Sequence, residues 1–325
     1  MKEKRLFKFG ILALSIVLIA CTGGSAEAGC PEIDGREINV VATTPMIGEF
    51  VSQVGGDNIN LTVLMPAEAD PHTYDPAPQD AGTIADADLV FYTGLKYEPA
   101  ALIKLLENSA CSAEVLAEVG ESVFPIEFKE GGHDDHDEEG HDDHAGHDHG
   151  VYDPHFWFDP NRVAYAAEYI ESKLVEFDPS NASEYEAAGK DYVTELKGLV
   201  GQVSELISTI PSQNRKLITT HESLGYLEAK FGIEVLSTII PSLDSANEIS
   251  PSQLVGVIDV IEDNNVKVIF IEAEAPSVYA ETIVAETGIK AVEGLWVETL
   301  KEGQSYPEFL IDAVELIVEN LRNTD

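Results

Sequence analysis

Apolar and polar positions along this chain follow one pattern twice. Residues 38–44, INVVATT, form an apolar run rich in β-branched side chains; 46–56, MIGEFVSQVGG, has helical spacing and closes on glycine; 59–65, INLTVLM, is a second apolar run. That order predicts strand, helix, strand. A loop, PAEADPHTYDPAP, then leads to a helix near QDAGTIADA and a strand in DLVFYTG. Far along the chain the order returns: a strand at 216–220, a helix in HESLGYLEAKFG, a strand at 233–240, the loop PSLDSANEISPS, a helix in QLVGVIDVIEDN and a strand in VKVIFIE. Details repeat too. Thr43-Thr44 corresponds to Thr219-Thr220, Pro66 to Pro241, and Pro78 or Gln79 to Pro251 or Gln253. An internal duplication of this kind predicts an α/β fold of two similar lobes, each a mainly parallel sheet flanked by helices.

Between the repeats, residues 181–210 carry Tyr185, Ala188, Tyr192, Leu196, Leu199, Val203, Leu206 and Ile210 at steps of three and four. This is the mark of one long amphipathic helix. At 1.5 Å per residue it would reach about 45 Å and join the lobes as a stiff strut. The expected organisation is a signal peptide at 1–20, a tether at 21–35, an N-terminal lobe at 36–160 that includes a His-rich loop at 131–150, a connecting region at 161–214 and a C-terminal lobe at 215–325.

The N-terminus changes the picture by placing the protein outside the cytoplasm. MKEKRLFKFG carries four basic residues, and the apolar run ILALSIVLIAC after it is shorter than the ~20 residues a membrane span requires. This is the layout of a secretory signal. Leu18-Ile19-Ala20-Cys21 resembles a lipoprotein signal-peptide box, which would make Cys21 the lipidated first mature residue and TGGSAEAG its tether, on the outer face of the membrane. On that oxidising side Cys30 and Cys111 either pair or remain free thiols. A bridge would close a loop of about 80 residues, worth about 4 kcal/mol in the chain-entropy model.

Charge then excludes some partners. The formal net charge of −40 over 325 residues argues against nucleic acid and draws in cations, although it also serves solubility. Of the nine histidines, six, His133, His136, His141, His144, His147 and His149, lie in the acidic segment HDDHDEEGHDDHAGHDH. With Ala145 its only apolar residue, that segment cannot bury a core and reads as either a spacer or a set of weak metal sites. The remaining three are His72, His155 and His221.

In open α/β sheets ligands bind beyond the carboxyl ends of strands. His72 lies in the loop leaving the strand at 59–65, and His221 follows the strand at 216–220. His155 stands in DPHFWFDP. Glu298, after the strand-like AVEGLWV, supplies an acid at another strand end, with Glu272 as the competing carboxylate. Three imidazoles and a carboxylate suit zinc. Taken alone, His72 is equally at home as a solvated loop residue, His155 as a packed core residue and His221 as a helix N-terminal residue. A catalytic zinc site would need an open position and a general base. The chain has no HExxH helix and no evident base, so an enzyme is not expected.

The motifs LMPAEADPHTYDPAPQD, YDPHFWFDPNR, TTHESLGYLEAKFGIEV, EISPSQL and VKVIFIEAEAP, in this order, resemble the signatures of the zinc and manganese solute-binding lipoproteins of ABC importers, from about residue 36 to 325. The resemblance implies two lobes joined by a long helix and one metal held in the cleft by His72, His155 and His221. It also implies a permease and ATPase as partners and a monomeric lipoprotein. Glu298, in VETL, falls where the family usually has aspartate. Manganese-selective members tend to replace one histidine with a carboxylate, so His221 resembles the zinc branch and Zn2+ is expected over Mn2+. The six clustered histidines resemble the acidic His-rich loop of zinc-binding members. A metal-binding adhesin or buffer without a transporter fits the same residues.

Overall fold

The computed structural model describes Cys30, Ile33 and residues 35–128, 152–275 and 277–322. The expected auxiliary metal ligands His133, His136, His141, His144, His147 and His149 lie outside the described residues, as do the signal peptide and Cys21.

Two four-stranded sheets carry the fold. In the first, β1 (Ile38–Ala42), β2 (Ile59–Val63), β3 (Leu89–Tyr92) and β4 (Leu116–Glu118) lie in the order β2-β1-β3-β4. In the second, β5 (Lys216–His221), β6 (Glu234–Ile240), β7 (Val268–Glu272) and β8 (Lys290–Leu295) lie in the order β6-β5-β7-β8. Every pairing is parallel, with Ile38 opposite Ile59 in one sheet and Lys216 opposite Glu234 in the other. The duplication predicted from the apolar pattern is therefore present as two sheets of the same order. In both, the chain moves one way from the first strand and then crosses back, which leaves a crevice at the strands' carboxyl ends.

Local chemistry sets the helix boundaries. Helix α1 (Pro45–Gly55) starts where the Thr44 side chain accepts the Ile47 N–H and proline occupies the first turn. Short α2 (Asp80–Ala85) and then α3 (Ala100–Ser109) complete the helices before β4. Helix α6 (Gly225–Phe231) begins four residues later than its apolar pattern suggests, because His221 still belongs to β5 and Ser223 turns back to the His221 carbonyl. It closes at Gly232, whose φ of 72° is left-handed. In α7 (Pro251–Asp263), Ser250 and Gln253 form a capping box, as Ser305 and Glu308 do in α9 (Tyr306–Leu321); α8 (Ala280–Thr287) lies between.

The long helix is α5 (Ala182–Ser208), 27 residues and so about 40 Å. Tyr185, Tyr192, Leu196, Leu199 and Val203 are buried on its inner stripe, together with Gly189, Val193 and Ile207. It is paired with α4 (Pro160–Phe177) through the short connection 178–181, and it packs on α1 in one lobe and α9 in the other.

Alternation along the strands sorts the core into layers. Ile38, Val40 and Ala42 of β1, Leu217 of β5, and Val268 and Phe270 of β7 face one continuous cluster that also takes in Phe50, Leu196 and Val314. Their neighbours face outward into separate clusters: Val41 and Val90 with Leu102 and Leu106, and Ile218, Ile269 and Ile271 with Ile261 and Ile283. The two lobes thus share their central core. A disulfide joins Cys30 to Cys111 across a sequence separation of 81, with the Cα atoms 4.9 Å apart, fastening the chain before β1 to the residues after α3. No described helix is long and apolar enough to cross a membrane.

Candidate metal centre

Four side chains from distant parts of the sequence meet between the sheets. His72 sits in the 3₁₀ turn Pro71–Thr73, whose start is fixed by Asp70: its Oδ1 accepts the His72 N–H at 3.0 Å. The second oxygen of Asp70 accepts the Ser245 hydroxyl of the other lobe at 3.1 Å. His155 follows Asp153-Pro154, and Asp153 Oδ1 accepts both its backbone N–H and its Nδ1–H, each at 2.8 Å. His221 is the last residue of β5, and its Nδ1–H points to Glu272 Oε2 at 2.5 Å. Glu298 lies just beyond β8.

A carboxylate on Nδ1 fixes the imidazole orientation and leaves Nε2 as the outward donor. All three Nε2 atoms surround one oxygen: Glu298 Oε1 stands 3.3 Å from His72, 3.2 Å from His155 and 2.7 Å from His221. The last distance is short enough for an ion pair, yet its angle makes no hydrogen bond, and His221 Nε2 is buried without a partner. The contact is thus an ion pair and not a hydrogen bond. One donor atom from each of the four residues falls within 4.8 Å of all the others. His155, His221 and Glu298 are fully buried, and only 4% of the His72 side chain is exposed.

Charge in so dry a place shifts the titrating groups. Burial works against a charged His155, but Glu298 and Asp153 outweigh it and push the imidazole up to about 9. His221 is likewise raised well above its usual value, as Glu272 and Glu298 overcome the cost of burial. Burial would raise Glu298; the surrounding His155, His72 and His221 instead hold it well below the ordinary carboxylate range.

The four sequence-derived candidates for the cleft therefore converge. The other six, His133, His136, His141, His144, His147 and His149, fall outside the described residues, so the described cluster is built without them. Glu272 does not join the four: its oxygens serve His221, the Thr219 hydroxyl at 2.9 Å and the Ser223 hydroxyl at 3.1 Å, so it stands behind the cluster as a support. Three neighbours have no signal in the sequence pattern. Tyr97, buried in the loop after β3, places its hydroxyl 2.9 Å from Glu298 Oε2. The Trp157 indole N–H donates to the Val297 carbonyl at 2.8 Å. Glu274, raised to about 8 by burial and by the negative Glu298, accepts backbone N–H groups from the segment that carries Glu298. Asp153, by contrast, is visible beside His155 in the motif DPHFW.

The profile of a family described as zinc-uptake complex component A, periplasmic (ZnuA), matches residues 40–320. The chain belongs to the ZnuA family. Its members are extracytoplasmic solute-binding components of metal ABC importers. Among ZnuA-family relatives, the high-affinity zinc uptake system protein ZnuA of Bacillus subtilis is 29% identical over 323 residues, 96% of each chain. The manganese ABC transporter substrate-binding lipoprotein PsaA of Streptococcus anginosus is 28% identical over 327 residues, 98% of this chain and 99% of its own. The solved structure of the periplasmic zinc-binding protein TroA from Treponema pallidum shares the fold, with a TM-score of 0.75 at 22% identity over 88% of this chain and 99% of its own.

Proposed function

We propose that this protein captures Zn2+ outside the cytoplasm and delivers it to the permease of an ABC importer driven by an ATPase, with His72, His155, His221 and Glu298 as the ligands. The ion is cargo, held and released without a chemical step. The observation that carries this reading is the donor set: three imidazole nitrogens and one carboxylate oxygen within 4.8 Å of one another, the second oxygen of Glu298 being engaged by Tyr97. Three nitrogens and one oxygen suit four-coordinate zinc. Manganese favours more oxygens in six-coordinate geometry. The relatives' names support both metals, one being named for zinc uptake and the other for manganese; the donor set favours zinc.

The same reading gives Cys21 the lipid anchor that holds the monomer at the membrane. The six histidines of residues 133–149 act as weak collectors that raise the local zinc concentration. Metal analysis and competition titrations on the purified protein test the assignment. If the ~10–16 kcal/mol of a tight zinc site is shared among four ligands, each loss costs about 3 kcal/mol, so His72→Ala, His155→Ala and His221→Ala each weaken zinc roughly 100-fold. Unchanged affinity in all three would sink the cleft assignment, and Mn2+ displacing Zn2+ at equal concentration would favour the manganese reading. Deleting residues 133–149 lowers the number of zinc ions bound and leaves one tight site.

A further inference from the structure

The segment that carries Glu298 is gripped from both lobes. From its own lobe, one oxygen of Glu274, Oε1, accepts the backbone N–H groups of Val297, Glu298 and Thr299 at 3.1, 3.0 and 3.2 Å. From the facing lobe, Trp157 donates to the Val297 carbonyl at 2.8 Å, and the Tyr97 hydroxyl lies 3.0 Å from the Glu298 carbonyl. Glu274 is placed for this by the end of β7, where the Ala273 N–H bonds the Leu295 carbonyl at 2.8 Å and holds the β7 and β8 ends side by side.

Backbone N–H groups in a buried segment need acceptors. Here three successive ones turn toward a single atom, which constrains the dihedral angles of residues 297–299 and with them the direction of the Glu298 Cα–Cβ bond. That direction decides whether Oε1 reaches the three Nε2 atoms. The segment lies outside both sheets and all helices, so no ladder of regular structure would set it otherwise.

We propose that Glu274 is a positioning residue for the metal site, acting through the backbone of residues 297–299 to present Glu298 as a fixed single-oxygen ligand. This rests on the reading of the histidine–Glu298 quartet as the metal site. Glu274 touches no metal; it governs how firmly the one oxygen donor of the described quartet is held. A role in anchoring the buried Val297 and Leu300 alone would affect stability and leave the coordination untouched. The two roles therefore separate by measurement.

Metal-stripped wild type, Glu274→Ala and Glu274→Gln are titrated with Co2+, whose visible absorption reads coordination number, and with Zn2+ against a chromophoric chelator. Thermal melting of each metal-free protein reports folding separately. Outer partners of metal ligands typically matter by about 10- to 100-fold in affinity, and a loss of that size is expected for Glu274→Ala, with the intense four-coordinate Co2+ bands fading as water enters. Glu274→Gln keeps an oxygen at the Oε1 position, so it restores zinc affinity to within a few-fold and restores the Co2+ bands. If Glu274→Ala fails to fold, Glu274→Asp takes its place, because shortening the side chain withdraws the oxygen from the three amides. A folded Glu274→Ala or Glu274→Asp protein with wild-type Co2+ bands and zinc affinity overturns the proposal, whatever its melting temperature. Wild-type protein that gives no histidine-dependent Co2+ signal would instead bring down the site assignment itself.

Discussion

Zinc binding at neutral pH should release close to two protons. In the metal-free cluster His155 is pushed up to about 9 and His221 is raised well above its usual value, while Glu298 is held ionised. At pH 7 His155, near 9, is about 99% protonated, and it and the raised His221 must both surrender a proton before Nε2 can bind metal. Two imidazoles at the ordinary value of about 6.5 would together release only about half a proton. Removing the His155 proton at pH 7 costs about 3 kcal/mol of apparent affinity, two pH units at about 1.4 kcal/mol each. The zinc dissociation constant should accordingly tighten about 10-fold per pH unit between pH 6 and 8 from the His155 proton alone and more steeply with the His221 proton, and the His155 share should level off above about pH 9. Calorimetry in buffers of different ionisation enthalpy counts the protons directly. Release of half a proton or less at pH 7, with an affinity flat from pH 7 to 8, would refute the reasoning. The same shifts govern the stability of the metal-free protein. The raised His155 contributes fully below about pH 6.5 and loses that contribution as pH climbs through about 9, the raised His221 loses its own as pH climbs through its folded value, and the lowered Glu298 contributes above about pH 4.5 and loses it as pH falls through its folded value. Metal-free protein should melt highest between about pH 4.5 and 6.5, and the gain in melting temperature on adding zinc should widen toward pH 9.

Glu298→Gln should weaken zinc binding yet leave the three-histidine site occupied, with X-ray absorption showing the same nitrogen shell and an altered oxygen shell. Tyr97→Phe frees Glu298 Oε2 to bind in a two-oxygen mode, so the ratio of zinc to manganese affinity should fall in competition titrations; an unchanged ratio would remove Tyr97 from metal choice. Cys111→Ser opens the bridge to Cys30 and should cost about 2–5 kcal/mol in denaturant unfolding, with zinc affinity unaffected because the bridge joins residues that precede β1 and β4, whereas the cluster lies beyond strand carboxyl ends.

The repeated strand–helix–strand units are legible because β1, β2, β5 and β6 carry dense apolar runs bounded by glycine, threonine or proline. Helix α9 is not read from its pattern, although Ser305 and Glu308 form a capping box at its start. The three-residue β4 is too short to carry any period. The histidines of the centre stand out because only three lie outside the acidic run, and strand ends tell where they point. Glu298 and Glu272 cannot be ranked that way: both are acids near strand ends, and only the fold shows that one faces three imidazoles while the other backs His221. Tyr97 and Glu274 act through contacts with a segment 201 and 23 residues away, which no local pattern encodes.

The continuous core bears on how cargo can leave. Ile38 and Phe50 on one side, Leu217 and Val314 on the other, and Leu196 of α5 between them are parts of one apolar body. Swinging the lobes widely apart would wet that body, at about 2.5 kcal/mol for every 100 Å² of apolar surface exposed. A permease that drew on modest docking energy could not drive such a swing. It could move the small loops that meet across the cleft instead: the turn bearing His72 and the loop bearing Ser245, joined by the Ser245 hydroxyl on Asp70, with the Glu68 N–H on the Leu300 carbonyl beside them. Amide hydrogen exchange should then quicken at these loops during hand-over while the core amides of β1, β5 and α5 stay protected.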